Sequence, residues 1–496
     1  MTIYIKNHDF HYELENLCRI FFPNEKITVV KDREPDPSEL FWASAFLEPA
    51  EMGVQLSASL CRNGEKMEEG FFLPADTPDF TKECERRLAV LLFSLLTKLT
   101  EIVPSWGILT GVRPIKLMRR LTAELGEEGA KEYFKNQLLV SENKTELAAF
   151  TMKAEQKLLS LSQKDSYSLY VSIPFCPTRC AYCSFVSQTI ERAHKMIPDY
   201  VEHLCLELEK TAQTAKELNL RLESVYIGGG TPTTLTAEQM ALLLKTIRNQ
   251  FDFSHCREFT VEAGRPDTIT PEKLRTMKQY GVDRISINPQ TLNNQVLELI
   301  GRKHSAAQTI EAFHLARKEG FGHINMDLIA GLPGDSLESF QNTLQEICRL
   351  DPESITIHTL AMKKSSKLTL EGKKLYKDEC VETAQMLDYA GEILPAHGYF
   401  PYYLYRQSKM VGNLENVGWA KSGFESFYNV YVMDETHTIL ACGAGAVTKL
   451  KQPQGEYLER VFNFKYPYEY LSRFEEMLER KKQVRQFYDQ FCQQLS

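Results

Sequence analysis

The sequence predicts an α/β protein built on a partial β/α barrel of six units. A small α+β domain precedes the barrel and a mainly helical cap follows it. Three observations point there. From about residue 165, short β-rich runs alternate with longer helical runs, the pattern of parallel strands joined by crossovers. The chemically unusual residues fall at or near the carboxyl ends of those strands, where parallel α/β barrels build their sites. The alternation is absent before residue 141 and stops after about 390.

Residues 1–140 read as the α+β domain. Ile3 and Ile5 alternate with polar neighbours, 27–30 and 41–46 are β-rich, and 54–60 and 67–73 flank Asn63-Gly64, a strong hairpin signal. An apolar helix is expected over 80–99. Next come Arg113, Lys116, Arg119 and Arg120. They read either as a carboxylate clamp, since arginine presents a planar fork, or as a solvated helix face. Residues 141–164 form a helical connector with Ser141 as its N-cap. The barrel spans 165–390, with strands at 168–173, 224–227, 258–262, 284–288, 324–329 and 354–358. Helices are expected around Tyr200, Leu204 and Leu208, and over 237–249, 271–280, 306–318 and 337–350. Residues 391–496 are the cap, aromatic-rich at 399–405, turn-rich at 412–419 and 442–446, and helical over 466–495.

The chain has 496 residues and a net charge of -8, so no basic field invites nucleic acid. Its longest apolar run, 88–96, is too short to span a bilayer and is broken by Ser94. The first residues lack a signal peptide's basic start and apolar core. Twelve cysteines in a chain of this size do not suggest a disulfide framework, and the expected setting is a reducing cytoplasm.

Within 172–186, Cys176, Cys180 and Cys183 stand in a C-x-x-x-C-x-x-C loop. Thiolates ligate iron–sulfur clusters, and three of them leave one iron of a 4Fe–4S cubane open. An open position marks a catalytic rather than a structural metal site. A structural zinc would need a fourth ligand, and none follows at zinc spacing. A redox dithiol would leave the third cysteine unexplained. After the second strand, Gly228, Gly229 and Gly230 remove three Cβ atoms in a row, so that a ligand or another backbone can come close. Glu262, Arg302 and Asp327 are charged groups near the barrel mouth. Each alone reads as an ion pair or capped turn, Gln290 alone as a polar residue at the surface, and Tyr170 and Tyr182 alone as packing. Together with an open iron they suit S-adenosyl-L-methionine, whose amino and carboxylate groups can chelate the open iron. Its ribose needs an acceptor for its hydroxyls.

At these residues the sequence resembles the radical SAM superfamily, and within it the oxygen-independent coproporphyrinogen III oxidase family. The resemblance runs over about 165–450. It is carried by Tyr170-Val-Ser-Ile-Pro-Phe-Cys176, Ile227-Gly-Gly-Gly-Thr-Pro-Thr233, Gly281-Val-Asp-Arg-Ile-Ser286, Gln290, Ile300-Gly-Arg-Lys-His-Ser305, Asp327-Leu-Ile-Ala-Gly-Leu-Pro333 and Gly443-Ala-Gly-Ala446, in that order. Leu109-Thr-Gly-Val-Arg-Pro-Ile-Lys116 is similar to the HemZ-type branch, whose members are described as coproporphyrinogen dehydrogenases.

The resemblance implies that Cys176, Cys180 and Cys183 ligate the 4Fe–4S cluster. It implies that Tyr170, Tyr182, Gly229, Gly230, Thr231, Glu262, Gln290, Arg302, Asp327, Ala361 and Val447 contact S-adenosyl-L-methionine. The implied reaction is oxidative decarboxylation: a 5′-deoxyadenosyl radical takes a hydrogen from a propionate side chain, and loss of carbon dioxide and one electron leaves a vinyl group. Two such events turn coproporphyrinogen III into protoporphyrinogen IX. The implied partners are a tetrapyrrole substrate and an electron donor such as flavodoxin or ferredoxin. The well-characterised oxidases carry cysteine where this chain has Phe185 and histidine where it has Ser172. Both changes are shared with relatives that bind or deliver haem. A haem-delivery protein on the same scaffold, with His323, His358, His397 or His437 as axial ligand, is thus one alternative. A radical enzyme acting on another tetrapyrrole is a second.

Overall fold

The structure is a computed structural model and describes residues 1–492 apart from 186, 364, 408 and 454. The last positions of the expected terminal helix, 493–495, and Val186 at the end of the cysteine loop lie outside the described residues. The chain divides into two compact units. One comprises Met1–Met152 with Lys374–Val381 and Tyr405–Glu415. The other comprises Lys153–Lys373, Glu382–Leu404 and Asn416–Ser496.

The first unit carries a five-stranded sheet. Its strands are β1 (Thr2–Lys6), β2 (Thr28–Lys31), β3 (Phe41–Ala50), β4 (Gly53–Arg62) and β5 (Glu65–Pro74). β1 lies between β2 and β3 and is parallel to both, while β3, β4 and β5 are antiparallel. Asn63 (φ 54°) and Gly64 (φ 88°) form the two-residue turn that pairs Arg62 with Glu65. Both residues need the left-handed region, which asparagine and glycine reach at least cost. The helix Phe80–Thr100 buries Leu88, Leu92 and Leu96 against β4 and β5. A helix at His11–Phe21 was not expected. Its buried Leu14, Leu17, Cys18 and Phe21 repeat at helical spacing, yet Phe10 at its N-cap makes no side-chain cap and so leaves no start signal. Lys116, Arg119 and Arg120 ride on the helix Pro114–Glu132, with Pro114 in its first turn. Glu415 is buried between the Trp106 indole (2.7 Å) and the Lys144 ammonium (2.8 Å), which fixes residues 405–415 to this unit.

The second unit is organised by an eleven-stranded sheet. Its parallel centre is β6 (Ser166–Ile173), followed, after the short pair β7 (Phe175–Cys176) and β8 (Gln188–Thr189), by β9 (Arg221–Gly229), β10 (Glu258–Glu262), β11 (Arg284–Ser286), β12 (Ile324–Ala330) and β13 (Ser354–Thr359). β6 and β9–β13 are the six expected strands, hydrogen-bonded in sequence order and parallel throughout. Helix starts follow local chemistry. Capping boxes Thr236/Gln239 and Ser305/Gln308 open the helices Ala237–Gln250 and Ala306–Lys318.

Residues beyond 390 contribute strands as well as helices, and this was not legible in the sequence. β14 (Phe400–Tyr405), β15 (Asn416–Ala420), β16 (Thr438–Cys442), β17 (Val447–Lys451) and β18 (Leu458–Phe462) all join the same sheet. β15 lies antiparallel on β13, and β16 lies parallel on β6 as a seventh parallel strand. The sheet stays open, with β14 and β18 at its edges.

Period-two alternation gives the parallel strands one polar and one apolar face. Leu169, Val171, Val225, Ile227, Phe259, Val261, Met326, Leu328, Ile355 and Ile357 are buried on the apolar side. On the other side polar side chains bond from strand to strand: Ser168 with Ser224 (2.7 Å), Tyr226 to Glu262 (2.6 Å), Asn325 to Ser286 (2.8 Å) and Thr356 to Asn325 (3.1 Å). The turn after β16 is locked onto the end of β6. Gly443 N–H donates to buried Glu207 (2.8 Å), Ala444 N–H donates to the Tyr200 hydroxyl (2.8 Å), and that hydroxyl donates to the Ser172 carbonyl (2.9 Å). Glu207 also accepts from Asn463 and Tyr470 and pairs with Lys481 at 2.9 Å. No helix among the described residues is long and apolar enough to cross a membrane.

Candidate functional site

The cysteine loop springs from the end of β6. Its ends are held by β7 and β8, which pair Phe175 with Gln188 and Cys176 with Thr189. Ala181 anchors the middle: its N–H donates to the Ile300 carbonyl (2.9 Å) and its carbonyl accepts from Leu368 N–H (3.1 Å). Cys176, Cys180 and Cys183 are free and half-buried. Burial raises the Cys176 thiol, opposed in part by hydrogen bonds from Ser187 and Thr231, and pushes Cys183 up to about 11. Without metal Cys176 and Cys183 are therefore held as thiols, and metal binding must displace their protons. Among the described residues no three His, Cys, Asp or Glu side chains converge closely enough to hold one ion. A mononuclear structural zinc takes four ligands where this loop brings three thiols, whereas a cubane takes each thiolate at a different iron.

The glycine run explains the loop's position. Gly229 has φ 105°. Gly230 N–H donates to the Ile173 carbonyl (2.8 Å), and Thr231 N–H donates to the Phe175 carbonyl (2.7 Å). Of the two uses expected for these glycines, the structure shows the close backbone: a Cβ on Gly230 would sit 2.5 Å from Phe175 O and 2.9 Å from Ile173 O. Overpacking of this kind costs about 1–3 kcal/mol. Gly230→Ala is therefore expected to weaken S-adenosylmethionine binding by about tenfold, as read by isothermal titration of the cluster-loaded protein.

Glu262 ends β10 and Asp327 lies inside β12, both half-buried on the polar strand face. Burial, and Asp327 nearby, push the Glu262 carboxyl up to about 7, although it accepts the Tyr226 hydroxyl. Asp327 is half-buried, and neighbouring His358 together with the Asn325 amide, which donates to it at 2.7 Å, holds it below the usual carboxylate range. Two neighbouring carboxyls with separated ionisations can accept from different groups at neutral pH. Gln290 has φ 67°, donates from its N–H to the Asp327 carbonyl, and takes Ile329 N–H on its own carbonyl. Its side-chain Oε1 is buried without a hydrogen-bond partner among the described residues.

Arg302 is buried, donates to the Asn288 carbonyl (2.6 Å), and faces Tyr182 and Cys180. Burial alone would favour the neutral form. Tyr182 and Cys180 reverse that, so the guanidinium stays charged. Its Nε is another buried atom without a partner among the described residues. An unpartnered acceptor at Gln290 and an unpartnered donor at Arg302 fit a ligand with both amino and carboxylate ends. Ala361 lies just beyond β13, and Val447 opens β17.

Tyr170, expected here, does not stand alone. Its ring is stacked 6.4 Å from Tyr226 and 6.1 Å from Tyr428, and those two are 4.4 Å apart. Tyr226 was detectable as an inward position of β9; Tyr428 comes from the carboxyl-terminal stretch and carried no local signal. Arg265 and His304 were also missed. His304 is buried and neutral, its ionisation lowered to about 3 by burial, Arg302 and Arg265.

The four histidines considered as haem ligands separate clearly. His437 is buried between the Ser162 and Ser168 hydroxyls, His323 is half-buried against Arg284, and His397 is exposed just past the end of its helix. His358 stands near the site carboxylates, with Nε2 3.8 Å from Asp327 Oδ2. Ser172 donates to the Ala444 carbonyl (2.9 Å), so its hydroxyl serves the β16 turn. Phe185 is 65% exposed and makes no core.

Comparison with known proteins fits this geometry. The radical SAM superfamily profile matches residues 170–347. The chain is 37% identical to the oxygen-independent coproporphyrinogen-III oxidase-like protein HemZ of Bacillus subtilis, over 98% of this chain and 97% of that one. It is 33% identical to the heme chaperone HemW of Haemophilus influenzae, over 61% of this chain and 75% of that one. Among solved structures, coproporphyrinogen III oxidase (HemN) from Escherichia coli shares the fold, with TM-score 0.50 and 22% identity over 66% of this chain and 73% of that one. The superfamily's cofactors are a 4Fe–4S cluster and S-adenosylmethionine. The chain belongs to the radical SAM superfamily and, within it, to the HemZ-type branch of the oxygen-independent coproporphyrinogen III oxidase-like proteins.

Proposed function

We propose that the protein oxidatively decarboxylates propionate side chains of coproporphyrinogen III to vinyl groups, giving protoporphyrinogen IX. The observation that carries this reading is the closeness of buried Arg302 to Tyr182 and Cys180 of the three-cysteine loop, in a chain similar over its whole length to an oxidase-like relative. In this reading Cys176, Cys180 and Cys183 hold the cluster. Bound together, cluster and S-adenosylmethionine supply one-electron sulfonium cleavage and a hydrogen-abstracting carbon radical. Arg302 presents its fork to the cofactor carboxylate. Glu262 and Asp327 accept from its ammonium and ribose hydroxyls, and the Tyr170, Gly229, Gly230, Thr231, Gln290, Ala361 and Val447 positions enclose it. Each turnover removes one hydrogen atom, carbon dioxide and one electron from the propionate. The electron would leave to an acceptor, and a small redox protein would supply the reducing electron for the next turnover.

Anaerobic incubation of the reconstituted protein with coproporphyrinogen III, S-adenosylmethionine and reductant tests this. Protoporphyrinogen and 5′-deoxyadenosine should appear together; cofactor cleavage without a tetrapyrrole product would sink the reading. Binding should also depend on pH. Glu262 is protonated below about 7 and ionised above it. A cationic ligand stabilises the ionised form, so affinity should rise with pH, by up to tenfold per unit below that point. Glu262→Gln should flatten the profile measured from about pH 6 to 8.

A second reading, haem binding and delivery, is favoured by the HemW relatives and by Phe185 and Ser172. His358 is its best-placed axial ligand. A Soret band that survives cluster removal and is lost in His358→Ala would support it.

A further inference from the structure

We propose that Arg265 is a positioning residue for the iron–sulfur centre, fixing the cysteine loop through Thr178 and biasing the centre's potential by its charge. The proposal rests on the reading that Cys176, Cys180 and Cys183 hold the cluster.

Arg265 follows β10 and is only 3% exposed. One edge of its guanidinium grips Asp267: Nε to Oδ1 at 3.0 Å and NH2 to Oδ2 at 3.1 Å. The remaining nitrogen, NH1, points the other way and donates to Thr178 Oγ1 at 3.0 Å. Thr178 lies inside the cysteine loop, between Cys176 and Cys180. Its hydroxyl hydrogen is used as well, donated to the Gly301 carbonyl at 3.0 Å. Thr178 therefore joins three pieces of chain: the end of β10, the cysteine loop and the turn that leads into Arg302.

Burying a guanidinium is expensive unless it meets negative charge. Asp267 supplies some, but its side chain is 25% exposed, so solvent screens the carboxylate. Buried His304, 3.8 Å from Asp267, is neutral and adds no competing cation. The ion pair thus turns its positive end inward, toward a loop whose three cysteines become thiolates on metal binding. Net charge and hydrogen bonding around a cluster set its reduction potential, so a fixed cation here favours the reduced state. Electrostatics and mechanical hold come from the same side chain but through different atoms, which makes them separable.

The experiment compares the reconstituted full chain with Arg265→Gln, Arg265→Lys and Thr178→Val. Three quantities are read: iron per chain, the rate of cluster loss to a chelator, and the midpoint potential from an EPR-monitored reductive titration. A charge-assisted hydrogen bond contributes about 1.5–3 kcal/mol. R265Q should therefore lose its cluster at least about tenfold faster, with a more negative midpoint. T178V should lose the cluster faster with an unchanged midpoint. R265K should restore the midpoint but not the retention, because an ammonium cannot grip Asp267 and reach Thr178 together. Melting of the apo chains separates these effects from unfolding. The proposal is overturned if R265Q retains both the retention and the midpoint of the unsubstituted chain, or if T178V and R265Q behave alike in potential. Should the unsubstituted chain fail to take up about four irons, or Cys176→Ala keep them, the ligand assignment fails instead.

Discussion

Alanine at any one of Cys176, Cys180 or Cys183 is expected to reduce cofactor cleavage to background and to bring iron well below the about four per chain of a cubane. The loop offers three thiols and no substitute: position 185, where the well-characterised oxidases carry another cysteine, is an exposed phenylalanine. Its backbone is also pinned at Ala181 and by the β7/β8 pair, so it cannot slide to bring in another donor. Iron analysis, the visible charge-transfer band and 5′-deoxyadenosine release measure the loss. Cys348→Ala is the control, since that thiol is buried in the helix Leu337–Leu350 and should leave the iron count unchanged. A loop variant that keeps its full iron complement would remove that cysteine from the ligand set.

The second large effect is structural. Glu207→Leu is expected to cost about 3–5 kcal/mol, because it leaves the Lys481 ammonium buried and unpaired. It also strands the donors of Gly443, Asn463 and Tyr470, which all converge on that carboxylate. Burial works against a charged Lys481, and Glu207 is what outweighs it. A fall of roughly 10 °C in melting temperature follows. Glu207→Gln removes the charge but keeps one of the two acceptor oxygens, and should fall between. A melting temperature within a degree or two of the parent would show that Lys481 has found another partner.

The parts of the structure that the sequence disclosed are those written locally. The six central strands and their helices could be read because alternation, caps and periodicity act within a few residues. The helices Ala306–Lys318 and Leu337–Leu350 are bounded as expected for that reason. The strands after residue 390 could not be read in the same way. β16 is buried at every position, so it shows no alternation, and its parallel partner β6 lies more than 250 residues earlier. In the site, C-x-x-x-C-x-x-C is a signal by spacing alone. Thr178, Arg265 and Asp267 are ordinary residues in sequence, and only folding brings them together. Tyr428 is the same case, reaching Tyr170 and Tyr226 from a different part of the chain.

The pairing of β16 with β6 bears on how the molecule is made. While the chain is being synthesised, one edge of β6 has no neighbour until residues 438–442 leave the ribosome. At about 5–20 residues per second, that interval is roughly 15 to 50 seconds. An unpaired strand edge is a template for wrong partners. The nascent chain is therefore most exposed to misassembly while its cysteines are already outside the tunnel and the turn that braces them is not yet translated.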